Sequence, residues 1–150
     1  MVLDPRARAT LYAGHHRGLY KTEDGGRSWR NVLPGAFAKA IAVDPGDGTV
    51  YVANSAHLWR GWWEADALKA GIYRSRDGGA TWAMLSDGDL MNHEFLCLTL
   101  DRGMPGRLWV GTVGNGVFVG EPRPDRQGRI GLARAASRVF DPLCGRLRCP

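Results

Sequence analysis

Apolar residues fall in short runs along this chain, and a polar or glycine-rich stretch closes each run. No sustained helical period is found before residue 130, so the pattern predicts short strands and tight turns. Four signals recur in one order. An apolar run ending in Asp opens each unit: MVLDP at 1–5, AIAVDP at 40–45, CLTLD at 97–101. A short strand follows: LYAG at 11–14, VYVA at 50–53, LWVG at 108–111. A glycine then leads another strand: GLYKT at 18–22, GIYRS at 71–75, GVFVG at 116–120. The fourth signal is a turn with a Trp strand, YKTEDGGRSWRNV at 20–32 and YRSRDGGATWAML at 73–85.

Each unit therefore predicts three or four antiparallel strands, the first apolar throughout and buried on both faces. A strand unit of this kind, repeated with variable inserts in its loops, has the form of a propeller blade. The expected fold is all-β, a partial β-propeller of about two and a half to three four-stranded antiparallel blades. The blades are expected over residues 1–120 and a basic, capping, helical or disordered tail over 121–150. In the third unit Pro122 and Pro124 disfavour a central strand. That unit has no Trp turn, so its fourth strand is expected to be missing or heavily altered. Ile130, Leu132, Ala133, Ala136, Val139 and Phe140 permit an apolar helical stripe that would cap the open face.

The repeated turn explains itself locally. Gly25, Gly26, Gly78 and Gly79 supply the positive φ that a tight hairpin needs. An Asp ahead of them accepts bonds from the N–H groups of its own loop. The flanking hydroxyls, Thr22 with Ser28 and Ser75 with Thr81, are expected to face each other across the hairpin. Trp29 and Trp82 are expected to pack on the strands below. The pattern Ser/Thr-x-Asp-x-Gly-x-Ser/Thr-Trp is carried by Thr22, Asp24, Gly26, Ser28 and Trp29. It is carried again by Ser75, Asp77, Gly79, Thr81 and Trp82. It resembles the Asp-box of the BNR repeat family.

The resemblance covers residues 1–120. It implies a β-propeller like those of sialidases, xyloglucanase-type glycosidases, sortilin-like receptors and photosystem assembly factors. It also implies that the turn lies on a blade's outer edge, away from catalytic centres, so Asp24 and Asp77 read as structural. Sialidase-like members need an arginine triad, a Tyr with a Glu, and an Asp, a set with no match here. Xyloglucanase-type members carry a catalytic Asp in the loop before a Gly-led strand. The loops GHHRG and GTVGNG have none.

Strand order sorts the loops onto two rims. Turns joining strands one to two and three to four share one rim. Loops joining two to three, and one unit to the next, share the other, where binding residues concentrate. That loop rim gathers His15, His16 and Asn115, the linker 34–37, the segment 86–94, and an insert from Asn54 to Ala70. The insert holds Trp59, Trp62 and Trp63, whose aromatic faces suit sugars or a protein surface, with Arg60 among them as a further binding candidate. A glycosidase needs two carboxylates about 5 to 9.5 Å apart, and Glu64, Asp66 and Glu94 are the candidates. The leading expectation is a carbohydrate- or protein-binding module. The alternatives are a sialidase-like or xyloglucanase-like glycoside hydrolase fragment or subunit, and an assembly or scaffold factor.

Composition adds bounds. A chain of 150 residues with 44% hydrophobic and 23% charged positions is that of a globular domain. The net charge of +5 sits mostly in residues 121–150, which carry seven Arg against three acids. The body is nearly neutral, so a nucleic-acid partner is not expected. No membrane span and no apolar signal core are found, which makes a cytoplasmic location the default. An extracellular origin stays open if the chain is a fragment. Cys97, in EFLCLTL, is expected to be buried, while Cys144 and Cys149 allow a small disulfide loop or part of a metal site. No cofactor or metal is expected. Fewer blades than closure needs imply a partner: self-association, or a second chain that supplies the missing blades.

Overall fold

The computed structural model describes residues 1–55, 68–85, 94–114, 116–122 and 130–134. They form three four-stranded antiparallel sheets, and no helix is present among them. The first sheet contains β1 (Val2–Leu3), β2 (Leu11–His15), β3 (Gly18–Thr22) and β4 (Arg30–Pro34) in chain order. The second contains β5 (Ala38–Val43), β6 (Val50–Asn54), β7 (Gly71–Ser75) and β8 (Ala83–Met84). The third contains β9 (Phe95–Leu100), β10 (Leu108–Thr112), β11 (Gly116–Pro122) and β12 (Ile130–Arg134). This is a partial β-propeller.

The recurring Asp at the end of each first strand has a physical task. Asp4, Asp44 and Asp101 each accept, on a carboxylate oxygen, the N–H two residues on, at 2.9, 2.8 and 2.8 Å. Their own N–H groups donate to the carbonyls of Thr10, Thr49 and Arg107 at 2.9, 2.8 and 2.9 Å. The side chain thus closes the turn into the second strand before any tertiary contact is made.

Two apolar cores lie between the sheets, and side-chain alternation builds them. Tyr12, Leu19 and Val32 of the first sheet meet Val50, Val52 and Tyr73 of the second. On the opposite face of the second sheet, Tyr51, Ile72 and Leu85 meet Phe95, Leu108 and Val110 of the third. Burying one such side chain contributes about 1.5–3 kcal/mol, so these two cores are the principal stabilising contacts. Strand β6 is buried at every position because it faces a sheet on both sides. The second sheet also approaches the first closely: a Cβ at Gly14 would lie 2.2 Å from the Ala38 carbonyl oxygen.

Several expectations change at the ends of the stack. The first strands of the outer sheets are not buried on both faces: Leu3 is 48% and Leu96 58% exposed. Cys97, expected in the core, is exposed. It projects from the face of the third sheet that no other described sheet covers, whereas its repeat counterpart Ala40 packs against the second core. The fourth strand of the third unit is present as β12, paired with β11 from Phe118↔Arg134 to Pro122↔Ile130. Residues 130–134 are therefore strand and not the start of a capping helix, and the third sheet continues beyond residue 120. Pro122 stands at the last position of β11, where a missing N–H disturbs the ladder least. Ala136, Val139, Phe140, Cys144 and Cys149 lie outside the described residues.

Candidate functional site

The turn rim is built by local bonds. Thr22 Oγ1 donates to Asp24 Oδ1 at 2.7 Å and accepts from Gly26 N–H at 2.9 Å. The Ser28 N–H donates to Asp24 Oδ1 at 2.9 Å, and the Ser28 hydroxyl to Oδ2 at 2.5 Å. The second turn repeats this with Ser75, Asp77, Gly79 and Thr81 at 2.7, 2.8, 2.8 and 2.5 Å. The two hydroxyls of each turn thus meet on one carboxylate instead of facing each other. Hydroxyl and N–H donation from Ser28, then from Thr22, holds the Asp24 carboxyl far below the usual range. Thr81 and then Ser75 do the same for Asp77. Carboxylates so fully engaged as acceptors are poor proton-transfer groups, and both are structural fasteners.

The loop rim has a different construction. Its β2–β3 turn presents His15 and His16, both exposed, with ring centroids 3.9 Å apart and planes tilted by 42°. The His15 ring also meets Tyr20 edge-on at 5.9 Å. The Arg17 N–H donates to His15 Nδ1 at 3.3 Å, and Asn31 Nδ2 donates to the Arg17 carbonyl at 3.1 Å. The turn is therefore braced from β4 while its imidazoles stand in solvent.

At the middle of this rim sits Asn54, fully buried. Its Oδ1 accepts from Phe37 N–H at 2.6 Å, and its Nδ2 donates to the carbonyls of Leu68 and Lys69 at 3.2 and 2.7 Å. One side chain thereby joins the linker between the first two sheets to the far end of the insert. Ser55 continues the chain of contacts: its Oγ accepts from Phe95 N–H at 2.9 Å, at the start of the third sheet. The Ser55 N–H donates to Phe37 O at 3.1 Å, and the Leu68 N–H to Gly35 O at 3.0 Å. The insert is thus pinned at both ends, at Ser55 and at Leu68. Sequence reading set Asn54 at the start of the insert without a role. The available signal was an amide followed by a hydroxyl at the end of an apolar strand, where buried backbone groups need partners.

Trp59, Arg60, Trp62, Trp63, Glu64, Asp66 and Asn115 lie outside the described residues. Glu94 is half-buried beside β9, and its carbonyl accepts from Val113 N–H at 3.0 Å. It is the one carboxylate of the loop rim among residues whose side chains are described. No group of three metal-ligating side chains is found among the described residues. A hollow of about 250 Å³ runs along the inner strands, bordered by Gly14, Lys39, Ile41 and Cys97.

Comparisons with known proteins agree with this architecture. No family model matches the chain. Over 117 residues it is 27% identical to an oligoxyloglucan-reducing end-specific xyloglucanase of Emericella nidulans, covering 72% of this chain and 13% of that protein. A probable oligoxyloglucan-reducing end-specific xyloglucanase of Neosartorya fischeri is 30% identical over 122 residues, 75% of this chain and 14% of that one. A xyloglucanase of a Paenibacillus species is 32% identical over 108 residues, 67% of this chain and 10% of its own length. Among solved structures, an ancestral GH74 enzyme superposes with a TM-score of 0.67 at 19% identity, over 91% of this chain and 18% of that chain. The GH74 enzyme of Niastella koreensis gives 0.58 at 18% identity, over 88% and 21%. The chain thus spans 10 to 14% of these curated relatives' length, and its similarity is to glycoside hydrolases whose sheets stack as these do.

Proposed function

We propose that the three sheets are a segment of a glycoside hydrolase propeller acting on xyloglucan-type β-glucans, supplying part of its carbohydrate-binding rim. The observation that carries this reading is the similarity to xyloglucanases across two thirds to three quarters of the chain. It favours the hydrolase-segment reading over a general binding module or a scaffold. Exposed imidazoles at His15 and His16 and the aromatic insert with Trp59, Trp62 and Trp63 suit sugar rings, which stack on flat faces and accept hydrogen bonds at their hydroxyls. Hydrolysis needs a second carboxylate opposite the first. Glu94 alone does not meet that need, and Glu64 and Asp66 in the insert are the nearest candidates along the chain.

Electrophoresis through gels with and without xyloglucan tests the proposal. Retardation by xyloglucan, reduced in Trp62→Ala and in the His15→Ala, His16→Ala double variant, is the expected result. Equal mobility of the wild type in both gels would sink it. A reducing-end assay on the same samples separates binding from catalysis: the chain alone is expected to release none. Release that disappears in Glu64→Gln would move the catalytic acid into this segment.

A further inference from the structure

The three sheets use one register position in different ways. His15, Asn54 and Thr112 each pair with the glycine that leads the next strand: Gly18, Gly71 and Gly116. In the first and third sheets the connection between the pair is short, residues 16–17 and 113–115. There the side chain bonds within its own turn. His15 Nδ1 accepts from Arg17 N–H at 3.3 Å, and Thr112 Oγ1 donates to the Gly116 carbonyl at 2.9 Å. In the second sheet the connection is the long insert, residues 55–70, and the same position holds a buried amide.

The Asn54 amide matches what the backbone around it needs. Its Oδ1 takes one N–H, from Phe37, and its two Nδ2 hydrogens go to two carbonyls, those of Leu68 and Lys69. The flipped amide would set an oxygen against two oxygens, so only one orientation fits. None of the three partners belongs to a strand, since β5 begins at Ala38 and β7 at Gly71. The ladder between β6 and β7 is already made by backbone pairing, so the amide serves loop backbone that would otherwise be buried without a partner. The Lys69 carbonyl is gripped a second time, by the Tyr73 hydroxyl at 2.8 Å. The Leu68 side chain packs against the first core. Side chains therefore hold the base of the insert, whereas the two short connections are closed by their own turns.

We propose that Asn54 is a positioning residue for carbohydrate binding: its amide fixes the base of the insert and so sets the insert for the glycan. The inference rests on the reading of the loop rim as a carbohydrate-binding surface. A segment whose base is fixed loses less conformational freedom when a ligand orders it. Apparent affinity then rises with the fraction of molecules already in the binding form. Asn54 is fully buried and acts through the insert, without a contact of its own to the glycan. Tyr73 is the second arm of the same hold.

Two measurements separate this from a purely structural role. Dissociation constants come from gels over a series of xyloglucan concentrations. Asn54→Ala is expected to weaken binding by about tenfold or more. Tyr73→Phe keeps its ring in the core and is expected to weaken binding by about two- to fivefold. Val52→Ala, on the same strand with its side chain in the first core, is the control. It lowers the urea midpoint, yet its folded form is expected to bind as the wild type does. Strand circular dichroism checks that each variant is folded, and Tyr73→Phe carries the test if Asn54→Ala does not fold. Trypsin under native conditions needs no ligand. Cleavage after Arg60, located by mass spectrometry, should be about tenfold faster in Asn54→Ala, faster also in Tyr73→Phe, and unchanged in Val52→Ala. Faster cleavage together with a wild type that xyloglucan does not retard would sink the carbohydrate reading and leave Asn54 as the anchor of the insert. Cleavage at the wild-type rate in the folded Asn54 and Tyr73 variants, unchanged binding in both, or an equal loss of binding in Val52→Ala would each overturn the proposal.

Discussion

The turns Thr22–Trp29 and Ser75–Trp82 are closed by the same five hydrogen bonds, matching to within a tenth of an ångström. Their glycines agree as well, with φ of 73° and 95° in the first turn and 67° and 96° in the second. What differs is the surroundings. Trp82 bonds across to Val32, whereas Trp29 is 40% exposed and has its bond to Gly26. The pair separates two tasks that one motif performs. Its hydrogen bonds shape a hairpin, and its indole joins that hairpin to the sheet before it.

The largest expected effect comes from truncating the two indoles. Trp82→Ala should destabilise by about 3 kcal/mol, since a cavity opens in the first core and a bond between sheets is lost. Trp29→Ala should cost under about 1 kcal/mol, as surface truncations do. Urea midpoints of both variants, taken at dilution, check the contrast, and equal losses would break it.

Glycine substitutions sharpen the same comparison. Gly79→Ala and Gly26→Ala both force a side chain into positive φ, which costs about 1–2 kcal/mol. Only Gly79→Ala also pushes on Val32, because a Cβ at Gly26 meets nothing nearer than Trp29 at 3.8 Å. The Gly79 variant should therefore be the less stable of the two in thermal melts. Reversal of that order would show that strain in the hairpin outweighs packing between sheets.

Acid should affect both turns in the same direction. Folding depresses the pKa of Asp24 and of Asp77, so their contribution is present above the unfolded value of about 4 and is lost as pH falls below it. Asp77→Asn and Asp24→Asn should each flatten the acid limb of the stability curve, and Asp77→Asn should lose more stability at about pH 6, because the turn it closes also holds two sheets together. Denaturant midpoints between about pH 2 and 6 read the difference, and identical curves for both variants would remove it.

The smallest effect is expected at Tyr12. Burial first, then Asp4 and Glu23, push its hydroxyl up to about 12. Its contribution is thus present below the unfolded value of about 10 and fades as pH rises through the folded one. Its bond to Gly78 O is long, at 3.4 Å, so Tyr12→Phe should change stability by under about 1 kcal/mol at neutral pH. It should also remove one late-titrating phenol from the absorbance curve at alkaline pH.

Much of the fold was legible because its determinants are close in sequence. The three Asp-closed turns, the two glycine turns and the alternation in β2, β6 and β10 all depend on residues a few positions apart. The loop rim was legible as a place but not as a mechanism. Asn54 looked like the start of an insert, and its three bonds reach Phe37, Leu68 and Lys69, partners that only folding brings together. The error over Cys97 has a related cause. An apolar run predicts burial only if a sheet covers it, and no described sheet covers that face of the third one. For β12, Pro122 and Pro124 argued against a strand locally, while β11 offered an unpaired edge that residues 130–134 occupy.

By itself, then, the order of amino acids determined where the chain bends and which side chains close each bend, since those forces act over a handful of residues. It also determined that the unit repeats. The tertiary structure decided which indole is covered, which cysteine meets solvent and how an asparagine ties three segments together. Those outcomes depend on which surface stands opposite, and a pattern read along one chain does not contain that information.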